Sequence, residues 1–216
     1  MSRIVVIGAG VGGLAAAARL AAMDHDVLVL EASDAVGGKL ATYERDGYTF
    51  DTGPSLVTMP QVFHDLFAAT GAPLEDVVPL ERLDVACRYT FPGGEILDMP
   101  GRIGEIPDAL DAALGAGTGQ QWRAFLEDAA RVWEVAEQPF LRSPIDSAAI
   151  AELAASPSTL AAIAPWRSLR SFGAKRLTDS RLRAMLDRYA TYTGSDPRRA
   201  PSALATVPYA EQAFGS

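Results

Sequence analysis

The segment Gly8-Ala9-Gly10-Val11-Gly12-Gly13 fits a G-x-G-x-x-G turn through Gly8, Gly10 and Gly13. Between a strand and a helix, this pattern has a defined chemistry. The first glycine permits a tight turn out of the strand, the second lets the backbone approach a pyrophosphate, and the third lets helix and strand pack closely. The helix beginning there aims free N–H groups and a partial positive charge at the phosphates. Glu31 follows eighteen residues after Gly13. At the end of a second strand, its carboxylate can accept both hydroxyl hydrogens of an adenosine ribose and disfavours a 2′-phosphate. These residues point to nucleotide binding; the competing reading is a plain glycine turn in an unrelated α/β protein.

The elements that must hold these groups are legible in the patterning. Residues 4–7 form a β-branched run ending at glycine, 11–23 an alanine-rich helix, and 27–30 a second apolar run. The order is β, α, β within about thirty residues, and such short apolar strands suit a parallel sheet buried on both faces. Asp24 stands at the turn into the second strand, where a left-handed conformation is expected and aspartate tolerates it. Residues 40–45 and 48–51 flank Asp46-Gly47, a pair that favours a two-residue hairpin turn. Pro60 opens a helix with Val62, Phe63, Leu66 and Phe67 on one face, and Gly71 closes it. A second hairpin is expected from residues 87–91 and 95–99 around Pro92, Gly93 and Gly94. From about residue 103 the period becomes helical, most clearly over 120–138, where Trp122, Phe125, Leu126, Ala129, Val132, Trp133 and Ala136 recur at spacings of three and four. Leu182, Met185, Leu186 and Tyr189 repeat the pattern later. A boundary near residue 100 therefore separates regions 1–100 and 101–216.

Composition narrows the function classes. The chain has 216 residues, 49% hydrophobic and 21% charged, with a net charge of −8. That is the balance of a globular protein, and its overall charge would repel a nucleic-acid backbone. The single cysteine, Cys87, allows no internal disulfide and no thiolate cluster, and reads as a small core residue in a cytoplasmic protein. The early apolar run after Arg3 imitates a secretory signal, but its clustered glycines disfavour a membrane helix. No other stretch is long and apolar enough to span a bilayer.

Beyond Glu31-Ala32, the residues Gly37-Gly38-Lys39 continue the fingerprint, and here the sequence resembles the FAD-binding flavoproteins that include amine oxidases and carotenoid desaturases. Gly47-Tyr48-Thr49-Phe50-Asp51-Thr52-Gly53-Pro54-Ser55 is similar to the segment that bacterial phytoene desaturases carry next. Tyr192-Thr193-Gly194-Ser195-Asp196-Pro197 and Ala200-Pro201-Ser202 resemble a later one. The resemblance implies an α/β fold with a Rossmann-like FAD-binding βαβ unit and a mainly helical second region, incomplete relative to the family. It implies FAD held by Gly8, Ala9, Gly10, Val11, Gly12, Gly13, Glu31, Ala32, Gly37, Gly38, Lys39, Gly53, Pro54 and Ser55. The implied activity is removal of hydrogen from an apolar polyene, with hydride passing to the flavin, and no catalytic residue or metal site is assigned. In that family the polypeptide continues for about as long again, so the expectation is an N-terminal half that needs the remainder to hold FAD well. Alternatives are another amine-oxidase-like flavoenzyme, or a non-catalytic nucleotide-binding or membrane-associating module.

Two further features bear on partners. His25 and His64 are isolated and read as surface or capping residues. Residues 165–199 hold nine basic against three acidic residues, with Trp166 and Phe172 among them. Such a stretch can lie on an anionic membrane surface from which an apolar polyene would be collected. The competing reading is a solvated basic face paired with acidic neighbours.

Overall fold

The computed structural model describes residues 1–144, 146, 147, 151 and 155–215. The chain divides into two compact units, Met1–Glu81 and Arg82–Ser216.

In the first unit, β1 (Arg3–Ile7) pairs in parallel with β2 (Asp26–Leu30), in register from Arg3↔Asp26 to Ile7↔Leu30. Helix α1 (Val11–Ala22) makes the crossover and packs on both strands. Its return turns at Asp24, with φ of +60°, as its sequence position implied. Ile4 and Val6 of β1 alternate with more exposed neighbours, as do Val27 and Val29 of β2. Side chains of a strand alternate between faces, so α1 covers one face of this sheet. Val5, Ile7, Leu28 and Leu30 on the other face are exposed, Ile7 by 87%. The sequence encodes strands apolar on both faces, and the described residues of this unit cover only one of them.

Strands β3 (Thr42–Arg45) and β4 (Tyr48–Asp51) form the expected hairpin, with Arg45 opposite Tyr48. Both turn residues have positive φ, Asp46 at +51° and Gly47 at +82°, as a type I′ turn demands. Helix α2 (Pro60–Thr70) begins at its proline and ends at Gly71 in a left-handed conformation. Phe63, Leu66 and Phe67 are half-buried, whereas Val62 is exposed. The covered stripe is thus narrower than the expected face. His64 pairs with Glu75 at 3.1 Å, and His25 accepts from the Ser2 amide at 3.3 Å, both surface roles.

The second unit opens with the antiparallel pair β5 (Val85–Thr90) and β6 (Ile96–Pro100), bulged between Val85 and Cys87. Leu97 and Met99 of β6 are buried among α3 (Ile106–Leu114) and α4 (Thr118–Leu141). The hairpin therefore belongs with the helices, and the division of the chain falls at Glu81 and Arg82 rather than near residue 100. The change of period marks a change of element type within one unit; which core a hairpin joins is a tertiary property. Trp122, Phe125, Leu126, Ala129, Val132 and Trp133 of α4 are buried as the periodicity required. Around α4 lie α5 (Pro157–Ile163), α6 (Leu169–Gly173), α7 (Ser180–Arg188) and α8 (Thr206–Phe214). Leu182, Met185 and Leu186 of α7 enter the same core, and Tyr189 joins it from the 3₁₀ turn that follows. Cys87 is half-buried against this core, and burial pushes its thiol up, so it stays protonated and structural.

Candidate functional site

The turn needs glycine at Gly8 for its backbone conformation and at Gly13 for its packing. Gly8 turns out of β1 with φ of +99°, and its amide donates to the Leu30 carbonyl at 2.7 Å, tying the turn to the end of β2. A Cβ on Gly13 would collide with the Gly8 carbonyl oxygen. Gly10 caps α1 in an extended conformation with no side-chain cap, and the first helical turn holds no acidic residue. The amides of Val11, Gly12 and Gly13 in this turn lack intrahelical acceptors, which is the arrangement that attracts a phosphate.

A second loop closes against the first. The Gly37 amide donates to the Ala9 carbonyl at 2.8 Å, and Gly10 bridges Gly37. A Cβ on Gly38, whose φ is +60°, would meet the Gly10 Cα at 3.1 Å. A third loop packs on the second, since a Cβ on Gly53 would strike the Lys39 carbonyl oxygen. Three separated glycine segments are thus stacked backbone on backbone. They border a cavity of about 560 Å³ to which Gly10, Val11, Gly37, Lys39, Pro54 and Ser55 contribute. Leu56, Val57 and Phe63 complete its apolar wall. These wall residues were not singled out from the sequence, where Phe63 reads only as helix core and 56–57 follow the last motif unmarked.

Glu31 sits just beyond β2 and its carboxylate is gathered by four donors. Oε2 accepts from the buried Ala9 amide at 2.6 Å, while Oε1 accepts from the Ala32 amide, the Ser33 amide and the Ser33 hydroxyl, each at 2.9 Å. The Ser33 amide, the Ala9 amide and the Ser33 hydroxyl hold the carboxyl down at about 2, so it is ionised at neutral pH. A carboxylate offers about two acceptor positions on each oxygen; among the described residues Oε1 is crowded by three donors, while Oε2, with one, keeps a position open. The Ser33 hydroxyl also lies 2.7 Å from the Ala35 carbonyl, and its one hydrogen serves a single acceptor at a time. Ser33, which the fingerprint does not mark, supplies two of the four donors to Glu31.

The basic stretch behaves differently from a bare cationic surface. Arg170 pairs with Asp187, Arg176 with Asp128 at 2.8 Å, Arg181 with Asp179 at 2.7 Å and Glu95 at 2.8 Å, and Arg188 with Glu211 at 3.1 Å. Three of these acids, Glu95, Asp128 and Glu211, come from outside residues 165–199 and lower its effective charge. Among the described residues no helix is long and apolar enough to cross a membrane.

A parallel βαβ unit with a glycine cradle at the strand ends and an ionised carboxylate just past the second strand defines a dinucleotide-binding protein of the α/β class. Residues 11–201 match the flavin containing amine oxidoreductase family, and the chain belongs to it. It is 33% identical to 4,4'-diapolycopene oxygenase of Methylomonas sp. and 32% identical to 4,4'-diapophytoene desaturase (4,4'-diaponeurosporene-forming) of Staphylococcus aureus strain Newman. Each alignment covers 99% of this chain but only 43% and 42% of those proteins. Among solved structures, wild-type putrescine oxidase bound to putrescine aligns with 99% of this chain and 43% of its own, at a TM-score of 0.56 and 22% identity. An engineered putrescine oxidase aligns at a TM-score of 0.60 and 20% identity, over 97% of this chain and 42% of its own. These two likenesses establish the fold. FAD is the cofactor of this family, and the residues present fit it: a cradle whose loops approach so closely that Gly13, Gly37, Gly38 and Gly53 leave no room for a Cβ, uncapped amides at the start of α1, and a carboxylate already ionised.

Proposed function

We propose that this chain forms the FAD-binding part and a portion of the substrate region of a carotenoid desaturase, a flavoenzyme removing hydrogen from an apolar polyene. The observation that carries the reading is the cavity bordered by the glycine loops, whose first turn Glu31 holds through the Ala9 amide, in a chain that aligns over 99% of its length with a 4,4'-diapophytoene desaturase. When bound, FAD would accept a hydride from one carbon while the neighbouring carbon gives up a proton to solvent, so that the single bond between them becomes double. The chain's own residues have simpler tasks. Gly8, Ala9, Gly10, Val11, Gly12 and Gly13 present backbone to the pyrophosphate; Glu31, with Ala32 behind it, takes the adenosine ribose. Gly37, Gly38 and Lys39 lie along the cofactor, and Gly53, Pro54 and Ser55 close the cavity over it. Leu56, Val57 and Phe63 keep that wall dry.

The open face of the β1–β2 sheet supports a further part of the proposal, that remaining polypeptide of the whole protein covers Val5, Ile7, Leu28 and Leu30 and tightens the hold on FAD. Purified by itself, the chain is then expected to lose FAD during gel filtration. The whole protein loaded with FAD should be reduced anaerobically by a colourless polyene such as 4,4'-diapophytoene, with product absorbing at longer wavelength. Reduction by amines and not by any polyene would overturn the desaturase reading. Glu31→Gln should weaken FAD binding roughly tenfold or more, because one charge-assisted acceptor is lost and an amide nitrogen faces backbone donors. A carboxyl with a lowered value keeps its interaction above that value and loses it as pH falls through it. From its value of about 2, the Glu31 contribution is therefore flat from neutrality down to mildly acid pH.

Peripheral contact with anionic lipid through residues 165–199 is the finer part of the same proposal. It rests on Trp166, 70% exposed, and on Arg198 and Arg199, which take part in none of the ion pairs above. Flotation with liposomes should depend on anionic lipid and weaken in Trp166→Ala; flotation indifferent to lipid charge would remove this contact from the proposal.

A further inference from the structure

Helix α4 presents a second surface that the cofactor cradle does not use. Trp122, Leu126, Ala130, Trp133 and Phe140 follow one another at spacings of three, four and seven, so they share a face over about 27 Å of helix. Two cavities open along it. One, of about 370 Å³, is bounded by Ile103, Trp122, Leu126, Ala130 and Tyr209. The other, of about 260 Å³, is bounded by Trp133, Ala136, Phe140, Leu141, Ile163 and Leu204. Between them stands an aromatic partition, in which the Trp133 ring lies 6.1 Å from Tyr209 and 5.2 Å from Phe214.

The polar groups in the wall of the second cavity are already matched. Trp133 Nε1 donates to Glu137 Oε2 at 3.0 Å, Arg142 Nε donates to Glu137 Oε1 at 3.0 Å, and the Thr206 hydroxyl donates to the Ala203 carbonyl at 2.7 Å. An apolar guest would strand none of these groups, and it would take the exposed side chains of Phe140 and Leu141 out of water. Shape selects among apolar guests. A packed helix is roughly 10 Å across and needs a continuous groove, whereas two compartments divided by rings suit a thin chain that ends at the partition.

We infer that the cavity bounded by Trp133, Ala136 and Phe140 seats one end of the apolar polyene, and that the Trp133–Tyr209 partition sets how far the chain enters. The inference rests on the carotenoid reading above and adds to it a seat within the helical unit and a specificity-determining residue, Trp133.

The test is a titration of the whole protein, loaded with FAD, with 4,4'-diapophytoene dispersed in detergent, read by quenching of tryptophan fluorescence. Ala136→Phe fills the seat from α4, and Ala203→Phe fills it from the opposite wall. Ala184→Phe, exposed on α7, is the control. Far-ultraviolet circular dichroism checks folding, and either filled variant suffices if the other fails to fold. Affinity should fall about tenfold in the filled variants and stay within twofold in the control. Unchanged affinity in the folded filled variants would overturn the seat and leave the desaturase proposal standing. Absence of polyene binding to the unsubstituted protein would overturn both. A concentration-dependent dimer broken by Ala136→Phe, with polyene affinity unchanged, would assign the face to a second copy instead.

Discussion

Gly13→Ala should weaken FAD binding by at least a hundredfold, about 2.8 kcal/mol, while Gly12→Ala one residue earlier leaves it within twofold. The two substitutions add the same methyl group to the same first turn of α1. At Gly13 the added carbon meets the Gly8 carbonyl oxygen and lies 3.6 Å from a Val6 methyl, so strand and helix must move apart. Gly8 is also the residue whose amide binds the end of β2, and a shift there displaces the turn that faces the pyrophosphate. At Gly12 nothing lies within 4 Å of the added carbon, and helix propensity favours alanine over glycine by up to about 1 kcal/mol. Gly12→Ala should therefore raise the thermal midpoint slightly, and Gly13→Ala should lower it. Flavin fluorescence titrations of the whole protein, paired with thermal melts, measure both effects. Equal FAD affinities for the two variants would show that the close approach of Gly13 to Gly8 has no part in cofactor binding.

The contrast between these neighbours shows what a sequence discloses and what it withholds. Gly8 and Gly13 announce themselves because only glycine tolerates the positive φ of the one and the backbone contact of the other, and that constraint leaves a residue-type signature at fixed spacing. Asp46-Gly47 and Gly71 are legible for the same reason, and each has the left-handed geometry its type implied. The stacking of Gly38 on Gly10 and of Gly53 on Lys39 carries no such local mark. It arises where three loops far apart in sequence converge, and only the resemblance to flavoproteins brought those residues into one list. Ser33, which donates to Glu31 through both its amide and its hydroxyl, carries no such mark, because serine two residues after an acid is common in any turn. The β5–β6 hairpin is legible as a hairpin from its strands and turn residues, but its place among the helices is not. Its strand period states that Leu97 and Met99 are apolar, and the partner that buries them, α3, is decided by tertiary packing.

The basic stretch teaches the same lesson through charge. Counted along the chain, residues 165–199 are strongly cationic, yet Asp128 alone faces Arg176 at 2.8 Å, Arg131 at 2.5 Å and Lys175 at 3.8 Å. Those three cations hold its carboxyl below the usual range despite the opposing effect of its burial. A count of local charge cannot see acids that arrive from 48 residues away in sequence, as Asp128 does for Arg176.

In the second unit the largest stability loss should follow Trp122→Ala, at about 3–5 kcal/mol, with Trp122→Phe losing about 1–3 kcal/mol by a different mechanism. Trp122 is fully buried, its ring centroid 5.2 Å from that of Phe125. Its Nε1 donates to the Gln212 side-chain oxygen at 2.9 Å, and the Gln212 amide donates to the Tyr189 hydroxyl at 3.4 Å. Tyr189 in turn donates to Glu211 at 2.6 Å, so one chain of hydrogen bonds ties α4 to α8 and to the turn after α7. Alanine leaves a cavity where the indole stood and also orphans the Gln212 oxygen. Phenylalanine fills most of the space and leaves only the orphaned oxygen. If that is the difference, removing the oxygen as well should restore part of the loss: Trp122→Phe combined with Gln212→Leu should cost less than the sum of the single substitutions, with a coupling of about 0.5–3 kcal/mol. Urea unfolding followed by circular dichroism gives all four values. Strict additivity would mean that the buried oxygen finds water or another donor when the indole is gone, and the loss in Trp122→Phe would then be one of packing alone. Because a domain's whole stability is about 5–15 kcal/mol, Trp122→Ala should leave the helical unit near its folding threshold, and with it the proposed seat beside Trp133 on the same helix.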